Sequence, residues 1–379
     1  MGKYGHKIEI STNPLDYNIC ILGESKIGKT TIAKQICEKL VGSEGYIHFD
    51  IGREEGSSAI EGLVSEPIED WSKLVDVTDD IVENKSTDYK ELKTVIFDTF
   101  DELILLAENE SIRQYNKTHS DKKADTINAA WGGFGKGQDY AANLILDIIW
   151  ELKKVGVNTI IIGHVKRTDI IDPVTQETFS KLTADTTQRY FNVVKNKMHF
   201  VALAYIDREV VKEKTGRQNV VTKKDIEINK AVKESRVISF RDDTYSVDSG
   251  SRFADIVDRI EFDPDAFINA MQDAIDTEKR KGGMSDAQIK KEQKERDKAK
   301  EEKAKKYSEE KKTAAAEAAN AEKTEELFGK IKNKALTMDS DTKAKIMEWL
   351  GKYNMTSFKD RDAFTLEMLE EAAEILGVN

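Results

Sequence analysis

Along residues 18–240 the spacing of apolar positions switches repeatedly between two periods. Short runs rich in Ile, Val and Phe, at residues 18–22, 46–50, 94–98, 158–163, 200–206 and 236–240, read as strands. Between them apolar residues recur every three or four positions. Leu144, Ile145, Ile148, Ile149 and Leu152 mark one helical face, and Leu103, Ile104 and Leu106 another. Strands alternating with amphipathic helices predict an α/β fold with a mainly parallel sheet over residues 1–277, without internal repeats.

The pattern changes at Gly282-Gly283. Residues 285–326 are Lys, Glu, Ala and Gln with almost no large apolar side chain, a composition that cannot build a core but can form a helix. Ser285-Asp286-Ala287-Gln288 reads as a capping box, with Met284 and Ile289 placed as a hydrophobic staple. Asp286/Lys290, Glu292/Arg296, Glu301/Lys305 and Glu302/Lys306 pair acid with base four positions apart. The expectation for 278–326 is a charged, solvated helix of about 60 Å, with no a/d stripe for a coiled coil. In residues 327–379 apolar periodicity returns, with Ile346, Leu350 and Tyr353 on one helix and Leu366, Leu369, Ala373 and Leu376 on a second. Asp339 or Ser340 caps one start and Gly377 the last stop, which predicts a small all-α domain.

Composition narrows the class. The 379 residues are 39% hydrophobic and 34% charged with four prolines, which excludes a fibre or a disulfide scaffold. No apolar run reaches the roughly 20 residues that span a bilayer, and Met1 to His6 carry neither an apolar leader nor a myristoylation pattern. Cys20 and Cys37 sit in apolar-periodic runs, as small buried thiols do. The expectation is a soluble cytoplasmic protein without a membrane partner. Residues 1–277 carry 36 Lys and Arg against 48 Asp and Glu, and residues 278–379 carry 23 against 22. Within the acidic body, residues 195–241 hold twelve basic against six acidic side chains, enough for a local cationic surface.

Gly23-Glu24-Ser25-Lys26-Ile27-Gly28-Lys29-Thr30 fits G-x-x-x-x-G-K-[ST] between an apolar strand and a helix at 30–40. Such a loop turns successive N–H groups and a helix N-terminus toward β- and γ-phosphates. Lys29 adds a positive charge, Thr30 offers a hydroxyl to Mg²⁺, and Thr31 lies where an α-phosphate would. Residues 94–98 form an apolar run ending in Asp98, the carboxylate placed to join Thr30 in the magnesium shell. ATP and Mg²⁺ are the expected cofactors.

Together these features resemble the short RecA-like ATPases of bacteriophages that act as single-strand annealing or recombination-mediator proteins. The resemblance covers residues 16–277. It rests on the P-loop, Asp98, Trp131-Gly132-Gly133-Phe134-Gly135-Lys136-Gly137, Gly163-His164-Val165-Lys166 and Gly250-Ser251-Arg252. It implies a RecA-like P-loop NTPase core, followed by the charged helix and the all-α domain. In that class an inserted strand supports a glutamate that activates water, and strand 46–50 lies between the two motifs in sequence. Residue 99 is Thr, so the Asp-Glu pair of other ATPases is absent. The general base is then expected at Glu54 or Glu55, with Asp101 and Glu102 as alternatives. By the same resemblance His164 senses the γ-phosphate, and Arg208, Arg241 or Arg252 reaches a neighbouring subunit's nucleotide.

The resemblance further implies a homo-oligomeric, DNA-stimulated ATPase that binds single-stranded DNA and promotes annealing or strand pairing with a single-strand binding protein. Residues 111–138, with Lys122, Lys123, Trp131, Phe134 and Lys136, read as one DNA-contacting loop, and residues 165–183, with Lys166 and Arg167, as another. Two readings stay open beside it: a helicase-loading or DNA-packaging ATPase, and a nucleotide-gated interaction module whose working end is 327–379. A small-molecule kinase needs an arginine-bearing lid, and none stands out in the sequence.

Overall fold

Each of the six apolar runs becomes a strand of one twisted sheet. The computed structural model describes residues 10–53, 56–172, 175–218, 225–241, 249–281, 283 and 285–378. The sheet holds β1 (Ile19–Gly23), β2 (Tyr46–Ile51), β3 (Ser65–Ile68), β4 (Thr94–Asp98), β5 (Asn158–Ile171), β6 (Thr178–Ala184), β7 (Phe200–Gln218), β8 (Asp225–Ser239), β9 (Gly250–Ser251) and β10 (Arg259–Glu261). Its order is β10-β8-β7-β1-β5-β4-β2-β3, with β6 paired to β5 and β9 to β7. From β7 through β3 the neighbours run parallel, and β8 and β10 are antiparallel additions. The α/β class and the mainly parallel sheet are thus as the periodicity predicts.

Short central strands buried on both faces explain the continuous apolar runs, since helices cover the sheet on each side. All five residues of β1 and of β4 are buried. Helices α1 (Lys29–Val41) and α6 (Pro264–Lys281) supply Ile32, Ile36, Phe267 and Met271 to one core cluster with Ile19, Ile21, Phe200 and Phe240. Cys20 and Cys37 are both buried in this interior, and desolvation drives the Cys37 thiol far above its ordinary range. Helices α2 (Trp71–Glu83), α3 (Phe100–Thr118), α4 (Lys136–Lys154) and α5 (Gln188–Lys195) complete the layers.

Two hairpins outgrow the predicted strands. β5 continues from Gly163 to Ile171 and pairs with β6, so residues 165–183, read from sequence as a loop, are mostly a hairpin. Val165, Thr168, Ile170, Ile171 and Thr183 give this segment the β-branched content that favours an extended chain. β7 and β8 pair from Leu203↔Ser239 out to Gln218↔Asp225. Residues 111–138 are likewise not all loop, because α3 extends to Thr118 and α4 begins at Lys136. Asn116 secures the turn between them by exchanging hydrogen bonds with both backbone groups of Ala124, at 2.7 and 2.9 Å.

The chain divides into two compact units, residues 1–305 and 306–379, and the division falls inside α7 (Asp286–Ala335). The Ser285 N–H donates to Gln288 Oε1 at 3.0 Å, the reciprocal half of the expected capping box; Met284 of the proposed staple lies outside the described residues. In the first unit, Gln293 Oε1 accepts from the Thr12 N–H at 2.8 Å, Lys300 pairs with Asp16, and Ile289 and Ala304 are buried. Residues 289–304 of the charged helix therefore pack along one side within the first unit rather than standing wholly in solvent. The second unit packs α8 (Ser340–Lys352) and α9 (Leu366–Leu376) around Trp349, Leu350, Phe364 and Leu369. Asp339 caps α8 and Gly377 ends α9 in the left-handed conformation, as predicted.

One half-buried histidine ties the fold to pH. His199 Nδ1 accepts the Asn18 N–H at 3.1 Å, next to β1 and β7. Burial, with Lys153 and Arg252 nearby, lowers its pKa to about 4. The native state holds this ring neutral while the unfolded chain protonates it, so its contribution is complete above about pH 6.5 and is lost as pH falls from there toward 4. Urea midpoints should drop across that window in the wild type and flatten in His199→Gln; parallel curves for the two proteins would contradict the assignment.

Candidate functional site

Strand order brings the chemistry together at the carboxyl edge of the sheet. β1 delivers the P-loop and β4 delivers Asp98, and the strand standing between them is β5. Strand β2, which intervenes in sequence, lies on the far side of β4 instead. The register places His164 of β5 beside Gly23 and Asp98 beside Asp50 of β2. Gly23 must be glycine because a Cβ there would stand 2.8 Å from the Ala204 carbonyl oxygen, and Gly28 needs its φ of +106° to turn the loop into α1.

Lys29 is buried, and its ammonium donates to the carbonyls of Gly23 and Glu24 at 3.1 and 3.0 Å. The Thr30 hydroxyl donates to Asp98 Oδ2 at 2.5 Å, joining residues 68 positions apart. A hydroxyl and a carboxylate, both hard oxygen donors, suit Mg²⁺, which takes its remaining ligands from water and nucleotide phosphates. Among the described residues there is no cluster of three or more His, Cys, Asp or Glu that could hold a metal ion.

Two further residues at this edge escape motif reading. His48, in the middle of β2 and 1% exposed, places Nε2 at 3.1 Å from the same Asp98 oxygen and Nδ1 at 2.9 Å from Ser65 Oγ. Its only signal in sequence is a polar ring inside the apolar run Tyr46-Ile47-His48-Phe49. Arg236 of β8 donates to the Ile27 carbonyl of the P-loop at 3.4 Å. It also lines a cleft of about 530 Å³ beside the first turn of α1, with Gly28, Thr31, Gln35, Phe262 and Asp263. The cleft begins at Thr31 and offers an aromatic face, a guanidinium and a carboxylate, the groups that hold a base and a ribose.

The acidic residues sort clearly. Glu54 and Glu55 lie outside the described residues. Asp101 Oδ2 accepts from the His164 backbone N–H at 3.3 Å and lies 3.0 Å from His164 Nδ1. Asp50 is bonded to the Ser57 hydroxyl. Glu102, one turn after Asp98, packs its carboxylate over Gly52 at the end of β2, where a Cβ on Gly52 would lie 2.2 Å from Glu102 Oε2. No described residue forms a hydrogen bond with that carboxylate.

The expected DNA-contacting residues are not equivalent. Trp131 stacks on Tyr140 with centroids 4.4 Å apart and donates from Nε1 to Ser111 Oγ at 3.1 Å, so its ring is occupied within the protein. Phe134 is 97% exposed, on a Gly-rich turn where it holds a positive φ of 53°. Lys122, Lys123, Lys136, Lys166 and Arg167 are exposed, and Lys166 pairs with Asp185 at 3.2 Å. Arg189 clamps Asp139 bidentately at 2.6 and 2.8 Å, fastening the start of α4 to α5. Of the three proposed arginine fingers, exposed Arg208 pairs with Glu234 at 2.8 Å, and Arg252 donates to the Met198 and Asn196 carbonyls at the opposite edge of the sheet. Arg241 follows β8 toward that same opposite edge.

A family model described as AAA domain matches residues 15–253. That span is well over half of the chain, which therefore belongs to this family of P-loop ATPases. Its core is a nucleotide-binding one. No curated protein matches the sequence. Among the described residues no helix is long and apolar enough to cross a membrane.

Lys29→Ala should lower ATP turnover on the order of a hundredfold or more, the cost of deleting a preorganised charge from a phosphate site. Asp98→Asn should abolish magnesium-dependent turnover while nucleotide binding survives through the loop amides. Wild-type turnover in either variant would move the site elsewhere.

Proposed function

We propose that the chain hydrolyses ATP with Mg²⁺ and couples hydrolysis to binding single-stranded DNA, promoting annealing or strand pairing as a homo-oligomer. The observation that carries the ATPase half is the Thr30–Asp98 hydrogen bond, which assembles P-loop and metal carboxylate at one sheet edge. With Mg²⁺ bound there, the ion would polarise the γ-phosphate oxygens. The residues do the rest: loop amides and Lys29 bind the phosphates, and Thr30 and Asp98 fix the ion's oxygen ligands. Arg236 and Phe262 would orient the nucleoside. Glu54, Glu55 and Glu102 are the carboxylates available to take the proton from water, and glutamine at each in turn identifies the one used. Glu102 is favoured by its position beside Gly52, where no hydrogen bond to its carboxylate is made among the described residues.

A RecA-like assignment within the P-loop class is supported by β5 standing between β1 and β4 and ending its core segment at His164. His164 is well placed to relay phosphate occupancy, because it touches Asp101 at the site and begins the β5–β6 hairpin. Single-strand binding is supported by Phe134, a solvated ring on a glycine turn, with Lys136 beside it. A single-strand binding protein and a neighbouring subunit, reached by Arg208, Arg241 or Arg252, complete the proposal.

Phe134→Ala should weaken single-strand binding by about 1 to 3 kcal/mol, the worth of one stacked base. Reversing Lys122 and Lys123 to Glu should weaken it further without changing ATP affinity, and affinity should fall steeply with salt. Fluorescence anisotropy of a labelled oligonucleotide with ATP and Mg²⁺ reads all three. No binding at low salt eliminates annealing and favours the helicase-loading type of protein remodelling.

A further inference from the structure

Asp98 is the carboxylate on which the proposed metal chemistry depends, and it is 8% exposed. A buried carboxylate needs hydrogen-bond donors, and a metal ligand needs one fixed orientation. Thr30 supplies one donor to Oδ2, and the imidazole of His48 approaches the same oxygen at 3.1 Å from the neighbouring strand. On its other side the ring meets Ser65 Oγ at 2.9 Å, and the register sets Ser65 of the edge strand β3 directly beside His48.

This chain of contacts fixes which ring nitrogen faces the carboxylate. A carboxylate accepts only, so Nε2 must carry the hydrogen that faces Asp98. Nδ1, on the far side of the ring, meets the Ser65 hydroxyl, which rotates to suit it. Ser65 thus anchors the far side of the ring, His48 presents a fixed N–H, and Asp98 is held in the rotamer that also meets Thr30. The ring is 1% exposed, so it is held in the interior between its two partners.

We infer that His48 and Ser65 are positioning residues for the magnesium carboxylate: the Ser65 hydroxyl orients the His48 ring, and His48 orients Asp98. Neither touches nucleotide, and each acts through the next. This inference rests on the ATP–Mg²⁺ reading of the site and adds to it a role for β2 and β3, which carry no part of either nucleotide motif.

The test measures binding of a fluorescent ATP analogue to the full chain in EDTA and across a magnesium titration, alongside phosphate release and thermal melting. His48→Leu should raise the half-saturating Mg²⁺ about tenfold, while affinity for the analogue in EDTA stays within about twofold, because the loop amides and Lys29 are untouched. His48→Gln, whose amide nitrogen can replace Nε2 as donor, should recover most of the loss. Ser65→Ala, which removes only an exposed hydroxyl, should raise the half-saturating Mg²⁺ about threefold. An unchanged magnesium titration in His48→Leu overturns the inference, as does a loss of EDTA affinity in step with melting temperature, which marks a merely structural role. If His48→Leu does not fold, Ser65→Ala decides alone, and a wild-type titration there overturns the inference. A wild-type chain that binds no nucleotide in either condition refutes the site reading itself, and this inference with it. A wild type that binds but does not hydrolyse refutes only the ATPase half.

Discussion

A carboxylate taken out of water must be surrounded by donors, and at Asp98 those donors come from two different parts of the chain. Thr30 arrives from the P-loop helix, His48 from β2, and Ser65 stands behind His48 on β3. For Thr30 to reach Asp98, β1 and β4 must be held in register with one strand between them. The register of β5 does this by pairing Ile162 with both Ile21 and Asp98. A one-residue slip in any of these strands would turn its side chains to the opposite face and break the contact. The apolar core and the polar site are therefore satisfied by the same alignment.

Around that contact the remaining elements divide by role. The antiparallel additions β8 and β10 bring Arg236 and Phe262 over the outer side of the P-loop and form the wall of the cleft beside Thr31. The β5 and β7 strands run past the core and become hairpins beyond the site. His164 sits where β5 leaves the core, bonded to Asp101 in the first turn of the helix that follows Asp98. A short covalent and hydrogen-bonded route thus joins Asp98 and Asp101 to the β5–β6 hairpin.

Much of this was legible in the sequence because it depends on local pattern. The P-loop spacing, the apolar run ending in Asp98, the alternation of strand and helix and the caps at Asp339 and Gly377 all follow from residue types within one element. What escaped depends on neighbours distant in sequence. Nothing local says that β5, not β2, stands between the two motif strands. β3, with Pro67 inside it, does not read as a strand because proline removes a ladder donor and is tolerated only at an edge. His48 looks like an ordinary polar interruption until Asp98 and Ser65 are placed around it. Trp131, attractive as a stacking platform, is taken by Tyr140 and Ser111. Residues 289–304 look wholly solvated by composition, yet Gln293 and Lys300 find partners at Thr12 and Asp16.

The central claim is that Lys29, Thr30 and Asp98 form one magnesium-dependent nucleotide site. Phosphate release from ATP by the purified wild-type chain, measured in Mg²⁺ and again after chelation with EDTA, addresses it most directly. The account predicts steady turnover in Mg²⁺ that ceases with EDTA and returns when Mg²⁺ is restored. Turnover that persists through chelation, or no turnover in either condition, would contradict it.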